Sequence, residues 1–343
     1  MNSSAEHIEG RRVFLVTQDV PQKLESFNTI GIKTPPVDDD FYFRLHKDLI
    51  ASVQVAMGPD VEVRSFRMSD LANEVLSSAY QAHQTTGSLI VSTCHEFADP
   101  MKGVTLDINR LVDRDGKSLG IGPRPGAVSL TEQLEIIKSH AAGRSVVIVE
   151  DGIFSGTTVE YIVDKCRKAG IDVNRVIVGF RFASSQEKID SLTEQGVEVS
   201  WVEEFGDLID WVPDHDFLPM VPNCGRILGV NPFGEPVPYY SLEGAAYSMP
   251  YVFPFSPVED WASIPEKAKR NLAKTCLSLS GMIYTKLNLM NKRDIRVDEV
   301  LAAPQPVTIP MRIGSKQTPR YSGQTVSEYI NTLSHSVSTD LYA

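Results

Sequence analysis

Glu150 and Asp151 are two adjacent carboxylates that directly follow a run of four β-branched residues, Val146 to Val149. A continuous apolar run of this kind is typical of a central strand that is covered on both faces. Two like charges at the end of such a strand are costly unless a ligand or a cation meets them. Because ionised carboxylates only accept hydrogen bonds, the two hydroxyl groups of a sugar diol are suitable partners.

A loop rich in glycine and hydroxyl groups follows the two carboxylates. Gly156 lies among Ser155, Thr157 and Thr158, and a helix is predicted from that point on. Backbone N–H groups and the helix dipole favour an anion at such a helix N-terminus. The pattern GxxxxGK[ST] of a Walker loop is absent. A phosphate at the hydroxyl-rich loop and a diol at the carboxylates together describe a ribose 5-phosphate, and the carboxylates would stabilise positive charge that develops at the anomeric carbon.

The stretch 146–158, VVIVEDGIFSGTT, resembles the phosphoribosyl pyrophosphate (PRPP) loop of type I phosphoribosyltransferases. That loop has an apolar strand, two acidic residues, three variable positions and then Thr/Ser-Gly-x-Thr. The resemblance implies that this loop binds the ribose and the 5′-phosphate of PRPP and that Glu150 and Asp151 also assist catalysis. The implied binding residues are Glu150, Asp151, Gly152, Ile153, Phe154, Ser155, Gly156, Thr157 and Thr158.

Further assignments follow from the resemblance alone. The family binds pyrophosphate with a loop after an earlier core strand, which by chain order contains Thr93, Cys94 and His95 here. Its mobile catalytic loop precedes the PRPP-loop strand, so Lys117 and Arg124 are candidates for neutralising pyrophosphate as it leaves. A solvated histidine and ordinary surface charges are the alternatives for these residues. The family also implies Mg²⁺, bound through pyrophosphate and ribose oxygens and without a direct protein ligand.

The acceptor of the phosphoribosyl group stays open. Hypoxanthine-guanine enzymes place an Asp just before the Thr-Gly of the loop as acid and base for the purine, and this position is Phe154 here. Purine phosphoribosyltransferases offer a hood segment to the base, and 207-DLIDWVPDHDFLP-219 resembles it. Trp211, Asp214 and Phe217 are therefore acceptor-site candidates, since stacking on an aromatic ring stabilises a bound base by about 1–3 kcal/mol. In the alternative, the aromatic side chains anchor the hood core and the aspartates are solvated.

Predicted strands and helices alternate over residues 69–202. This order predicts an α/β fold with a mostly parallel sheet and helices on both faces, like the type I phosphoribosyltransferase fold with its hood. Ligands bind such sheets at the carboxyl ends of the strands, where Glu150 and Asp151 fall. We predict three regions: an N-terminal strand and helix region over 1–68, a core with hood over 69–235, and a C-terminal extension of unknown role over 236–343.

Capping residues predict where two of the helices begin. Ser69 is expected to cap one helix. Ser129 and Glu132 match a capping box and predict the start of another. Between these helices, residues 98–128 have little helical periodicity and much Gly, Pro and charge, which is typical of a functional or mobile segment.

The composition is that of an ordinary globular protein, with 42% hydrophobic and 22% charged residues among 343. A net charge of −11 argues against a protein that grips nucleic acid backbones. No apolar run approaches the ~20 residues that span a membrane. The N-terminus has no apolar signal region, so we expect a cytoplasmic protein. The four scattered cysteines suggest neither a zinc site nor a disulfide framework.

We predict an enzyme that transfers the phosphoribosyl group of PRPP to a nucleobase-like acceptor and releases pyrophosphate. Its expected partners are PRPP and a nucleobase-like small molecule, without nucleic acid or membrane, and we expect a homo-oligomer. One alternative is a non-catalytic regulator that senses PRPP or a nucleotide; such a sensor does not need Lys117 and Arg124 to face the site. A hydrolase or synthetase that acts on ribose phosphates is a third alternative.

Overall fold

A computed structural model describes residues 12–94, 97 and 103–339 of the chain. The strands are β1 (Arg12–Gln18), β2 (Val61–Arg67), β3 (Leu89–Ser92), β4 (Gly103–Thr105), β5 (Ile108–Val112), β6 (Ser118–Pro123), β7 (Val146–Ile153), β8 (Val173–Phe182), β9 (Glu198–Phe205), β10 (Leu208–Pro213), β11 (Arg226–Val230), β12 (Val237–Pro238), β13 (Tyr247–Met249) and β14 (Ile309–Pro310). The α-helices are α1 (Val20–Glu25), α2 (Asp40–Met57), α3 (Met68–Thr86), α4 (Leu130–Ala141), α5 (Thr157–Lys168), α6 (Gln186–Glu194), α7 (Val258–Ala262), α8 (Lys269–Asn291), α9 (Val297–Val300) and α10 (Val326–Thr339). No helix in this described part of the chain has the length and apolar character needed to cross a membrane.

The central sheet has the strand order β4-β3-β7-β8-β9, and every neighbouring pair in it is parallel. β7 lies in the middle, with Val147 opposite Ile90 on one side and Arg175 on the other. The predicted α/β class with mostly parallel pairing is confirmed. Because the strands run in one direction, their carboxyl ends meet at one edge of the sheet, where β7 presents Glu150 and Asp151.

Helices cover both faces of this sheet, as the apolar run of β7 predicts. Val146 and Ile148 lie in a buried cluster with residues of α4, α5 and α6. Val147 and Val149 lie in a different cluster, with residues of α3. Successive side chains of a strand point to opposite faces, so an uninterrupted apolar run is what a sheet with two covered faces requires.

A second parallel sheet, β10-β1-β2, joins distant parts of the chain. β1 pairs with β2 from the N-terminal region and with β10, which follows the core strands. Phe14, Val16 and Val212 of this sheet share a buried cluster with Leu45 and Leu49 of α2. The hood is therefore built from the N-terminal region together with the segment that follows the core.

The third sheet, β14-β13-β11-β5-β6, is mixed. β5 and β6 form an antiparallel hairpin, and β5 pairs in parallel with β11. Much of the described part of residues 98–128 thus lies in strands. The C-terminal extension contributes β13 and β14 to this sheet. It also contributes residues of α8 and α10 to the same large core that contains Phe14.

One of the two predicted helix starts is confirmed. At the start of α4, the Ser129 side chain accepts from the Glu132 N–H, and the Glu132 carboxylate accepts from the Ser129 N–H. The prediction for Ser69 is wrong, because α3 begins at Met68 and Arg67 precedes it without a side-chain capping bond. Since β2 runs directly into α3, there is no turn in which a separate capping residue could lie.

Candidate functional site

In the stretch that resembles a PRPP loop, β7 extends beyond its neighbour β3. β3 ends at Ser92, opposite Val149, whereas β7 continues to Ile153. From Glu150 on, β7 pairs only with β8 among the described strands. The strand is therefore longer than the apolar run alone indicates. Both carboxylates lie in the part of β7 that pairs with one neighbouring strand.

Glu150 is 9% exposed, and its carboxylate has two hydrogen-bond donors. Thr93 Oγ1 donates to Glu150 Oε2 at 2.5 Å, and the Asp151 backbone N–H donates to Glu150 Oε1 at 3.1 Å. Thr93 follows β3, so the ends of two adjacent strands meet at this carboxylate. Asp151 is less buried than Glu150. Asp151 is therefore the carboxylate more accessible to a ligand.

Gly156 forms the turn of the predicted phosphate site. Its φ of +78° lies in the left-handed region, directly before α5. A Cβ at this position would also lie 2.5 Å from Lys188 Cβ. Both observations require glycine. The hydroxyl oxygens of Ser155 and Thr157 lie 3.2 Å apart at the N-terminus of α5, and Thr158 follows in its first turn. This end of the helix offers N–H and hydroxyl donors to an anion.

Residues at the end of β8 and just after it contact the middle of the loop. Ile153 is buried in the cluster between the central sheet and α5. Phe154 packs on Phe182 with ring centroids 5.1 Å apart, and Ser184 Oγ donates to the Phe154 carbonyl at 2.7 Å. Contacts with Phe182 and Ser184 thus stabilise the loop, while the Phe154 side chain remains 38% exposed.

Trp211 of β10 lies against the loop. A Cβ added at Gly152 would lie 2.9 Å from Trp211 Cζ3. The indole packs on Phe180 and Phe182, with centroid distances of 5.6 and 6.2 Å, and its Nε1 donates to Thr17 Oγ1 at 3.2 Å. One side chain thus connects the hood sheet to the carboxylate loop. Contact of Trp211 with an acceptor stays a prediction.

Asp214 and Phe217, the other two acceptor candidates, lie inside the hood. Phe217 is 0% exposed and belongs to the large core cluster, which favours the alternative role of a core anchor. Asp214 Oδ1 accepts from the backbone N–H groups of Asp19 and Val20 at 3.0 and 3.1 Å. The expectation of a solvated side chain is therefore wrong for Asp214, which is 1% exposed because it binds the start of α1.

A buried group of ionisable residues surrounds Asp214 and was not predicted. His215 Nδ1 lies 2.6 Å from Asp19 Oδ2, and Lys23 Nζ lies 3.8 Å from the same oxygen. Burial raises the pKa of Asp19 to about 7, against the opposing effect of His215 and Lys23. Burial lowers the pKa of His215, but the carboxylates of Asp19 and Asp216 outweigh it, and the pKa is raised.

The predicted pyrophosphate loop is described in part. The Thr93 hydroxyl donates a hydrogen bond to Glu150. Cys94 is buried, and its carbonyl accepts from Ser92 Oγ at 2.6 Å. His95 lies outside the described residues. Pyrophosphate binding by these residues stays a prediction.

Lys117 and Arg124 belong to a hairpin that is attached to the third sheet. Lys117 is exposed at its tip, and its N–H donates to Asp113 Oδ1 at 2.9 Å. Arg114 at the same tip donates to two backbone carbonyls of the C-terminal extension at 3.4 and 2.9 Å. The Arg124 N–H donates to the Asp107 carbonyl at 3.0 Å, and its side chain is half-buried. Contact of Lys117 and Arg124 with pyrophosphate stays a prediction.

Two cationic side chains beside the loop were missed in the sequence. Lys188 of α6 packs against Gly156 and forms an ion pair with Glu160 at 2.7 Å. Arg181, near the end of β8, is 9% exposed and its guanidinium lies 2.8 Å from Glu204. The sequence does show Arg181 as a charge in an otherwise apolar strand. No local pattern links Lys188 of α6 to Gly156 at the start of α5.

The donor atoms at the loop suit the chemistry of Mg²⁺. This ion prefers oxygen ligands and retains substrate oxygens and water in its coordination sphere. Glu150 and Asp151 offer carboxylate oxygens in the part of β7 that pairs with one neighbouring strand. Among residues 12–94, 97 and 103–339, no group of three or more His, Cys, Asp or Glu side chains could hold a metal. Binding of Mg²⁺ at this place stays a prediction.

No protein-family model and no curated protein matches this chain. Among solved structures, an adenine phosphoribosyltransferase from Thermoanaerobacter pseudethanolicus is similar at 14% identity and a TM-score of 0.27, over 39% of this chain and 79% of that one. A phosphoribosyltransferase from Corynebacterium diphtheriae is similar at 12% identity and a TM-score of 0.26, over 47% of this chain and 98% of that one.

Proposed function

We propose that this protein transfers the phosphoribosyl group of PRPP to a nucleobase-like acceptor and releases pyrophosphate. One observation supports this most. Glu150 and Asp151 lie in the last part of a central parallel strand, a few residues before Gly156, whose left-handed turn opens the N-terminus of α5. Acceptors for a diol and donors for a phosphate are thus spaced within one loop, as ribose 5-phosphate requires.

Each part of the loop has a separate task in this proposal. The carboxylates of Glu150 and Asp151 accept from the ribose hydroxyls and stabilise positive charge on the ribose ring as the bond to pyrophosphate breaks. The N–H groups at the start of α5, with the hydroxyls of Ser155, Thr157 and Thr158, bind the 5′-phosphate. Mg²⁺ bound to PRPP would neutralise charge on the leaving pyrophosphate. Trp211, beside Gly152, is the aromatic face proposed for the acceptor.

A second candidate is a regulator that binds PRPP or a nucleotide without catalysis. The hairpin with Lys117 favours it, because Arg114 ties the hairpin tip to the C-terminal extension. These hydrogen bonds restrict movement of the hairpin tip, and of Lys117 with it, toward the ligand loop. The two candidates share the ligand site and differ in turnover.

Asp151→Asn tests both candidates. The substitution keeps the size of the side chain but replaces one acceptor oxygen with a donor and removes the charge. PRPP affinity, measured by calorimetry, should fall at least ~10-fold, the scale of one lost charged hydrogen bond. Asp60→Asn, at an exposed turn after α2, is the matched control and should bind like the wild type.

Pyrophosphate release with PRPP and a panel of bases separates the enzyme from the regulator. Release by the wild type and its loss in Asp151→Asn would support the transferase. PRPP binding without release by any base would support the regulator. Unchanged PRPP affinity in Asp151→Asn would contradict both proposals.

A further inference from the structure

Ser65, His46 and Asp214 form a chain of hydrogen bonds in the hood. Ser65 Oγ lies 2.5 Å from His46 Nε2, and His46 Nδ1 lies 3.0 Å from Asp214 Oδ2. The three residues come from β2, α2 and the segment after β10, so the arrangement exists only in the folded protein. A hydroxyl, an imidazole and a carboxylate in this order are the parts of an activated serine nucleophile.

The carboxylate is held in the orientation that this chemistry needs. Asp214 Oδ1 accepts from the N–H groups of Asp19 and Val20, which leaves Oδ2 to face His46. Although burial alone would raise the pKa of Asp214, hydrogen bonds from His46 and Asp19 hold it below its ordinary value. Because an anionic carboxylate only accepts, His46 carries its proton on Nδ1. Nε2 is then free to accept the Ser65 proton.

The serine is accessible, and it has a backbone donor beside it. Ser65 is exposed, whereas His46 is 8% and Asp214 1% exposed. The Val63 N–H donates to Gln54 of α2 at 3.2 Å, so it points away from β1. Backbone groups alternate in direction along a parallel strand, which places the Ser65 N–H on the same side as that of Val63. That N–H can donate to an oxyanion that forms next to Ser65 Oγ.

A cleft is lined by residues of the same two elements, α2 and β2, that carry His46 and Ser65. It has a volume of about 180 Å³ and is lined in part by Gln18, Tyr42, Phe43 and Arg67. Arg67 lies two residues after Ser65, on the same face of β2, and Tyr42 lies one helical turn before His46. Arg67 is exposed and offers its guanidinium to a polar group in this cleft.

We infer that Ser65, His46 and Asp214 form a second reactive site, at which Ser65 accepts the acyl group of a small ester whose polar acyl part occupies this cleft. Ser65 Oγ forms a bond to the carbonyl carbon, and its proton passes to His46 Nε2. The ester C–O bond then breaks, and the leaving alcohol takes that proton. Water attacks the acyl-serine in the same way, which releases the acid and restores the hydroxyl. Asp214 is a positioning residue for His46.

Labelling with a fluorophosphonate tests the nucleophile, since this probe loses fluoride to an activated serine. The folded wild-type chain should be labelled on Ser65, located by fragmentation of the labelled peptide, and the chain unfolded in guanidinium should not. Ser65→Ala should lose the label, and Ser77→Ala, at an exposed serine of α3, should retain it. Ser65→Ala should also lose hydrolysis of p-nitrophenyl acetate. A folded wild type that takes no label, or a label that persists in Ser65→Ala, would overturn the inference.

His46→Gln and Asp214→Asn test the two other members. His46→Gln should slow labelling at least ~100-fold, the lower range for general base catalysis. Asp214→Asn should slow labelling at least ~10-fold, the scale of one lost charged hydrogen bond, because the amide no longer fixes His46 in the tautomer with its proton on Nδ1. Asp214→Glu keeps a carboxylate and should restore part of the rate. Equal labelling rates of the wild type and Asp214→Asn, or of the Asn and Glu variants with wild-type thermal melts, would overturn the positioning role.

Discussion

Trp211 lies so close to Gly152 that one added carbon at residue 152 would be 2.9 Å from its ring. This contact joins the hood sheet to the loop that holds Glu150 and Asp151. The two residues lie on strands of different sheets, β10 and β7. The relative position of hood and loop therefore depends on a glycine that a comparison of loop motifs would treat as variable.

Gly152→Ala should weaken PRPP binding. The added methyl must displace either the indole or the loop, and overpacking of this kind costs about 1–3 kcal/mol. We expect an affinity loss of about 10-fold or more by calorimetry, together with a lower melting temperature. Gly206→Ala is the matched control, because a Cβ there meets nothing within 4 Å. A Gly152→Ala protein with wild-type affinity would show that the Trp211 contact does not set the loop geometry.

Thr93→Val should impair both stability and PRPP binding. The substitution removes the hydroxyl that donates to the nearly buried Glu150, and an unpaired buried acceptor costs about 1–3 kcal/mol. Denaturant unfolding measures the first effect and calorimetry the second. Thr93→Ser keeps the donor and should restore most of both. Equal stability of the Val and Ser variants would mean that the hydrogen bond is not needed to hold Glu150.

Thr158→Val should weaken binding of the phosphate specifically. The side chain keeps its shape but loses a donor at the N-terminus of α5. Ribose 5-phosphate affinity should fall about 10-fold, since a hydrogen bond to a charged group contributes about 1.5–3 kcal/mol. Thr158→Ser retains the hydroxyl and is the control. If Thr158→Val bound ribose 5-phosphate like the wild type, the phosphate would have to lie elsewhere.

Asp19→Asn should change how stability depends on pH. The pKa of Asp19 is raised from 3.8 to about 7, so between these values the folded protein binds more protons than the unfolded chain. Wild-type stability should therefore fall relative to Asp19→Asn as the pH rises from about 4 to about 7, by at most about 4 kcal/mol. The pKa of His215 is also raised, so above its ordinary value of 6.5 this residue too makes the folded wild type less stable as the pH rises.

Denaturant unfolding of both proteins at several pH values between these limits measures the difference. Asp60→Asn, at the exposed turn after α2, controls for the loss of a carboxylate without burial. A stability difference between wild type and Asp19→Asn that stays constant, or that grows in favour of the wild type with pH, would contradict the assignment.

Features that depend on neighbouring residues could be predicted from the sequence. The apolar run before Glu150, the alternation of strands and helices, and the capping box at Ser129 are local patterns, and they predicted the central sheet and the start of α4. The turn at Gly156 before α5 could also be predicted from neighbouring residues, because the backbone conformation of this glycine is set within the turn itself. Ser69 was the exception, since continuity of β2 with α3 outweighed its capping preference.

Contacts between residues that are distant in the chain could be established only from the folded structure. β10 pairs with β1 across nearly 200 positions of the chain. That pairing brings Asp214 to His46, while the packing of β10 on the central sheet brings Trp211 to Gly152. Burial of Asp214 and Phe217 also followed from this packing, although each lies in a segment that resembles a ligand-binding hood. Local periodicity reports which face of an element is apolar, but contacts between elements depend on the free energy of packing the whole chain, which no short motif contains.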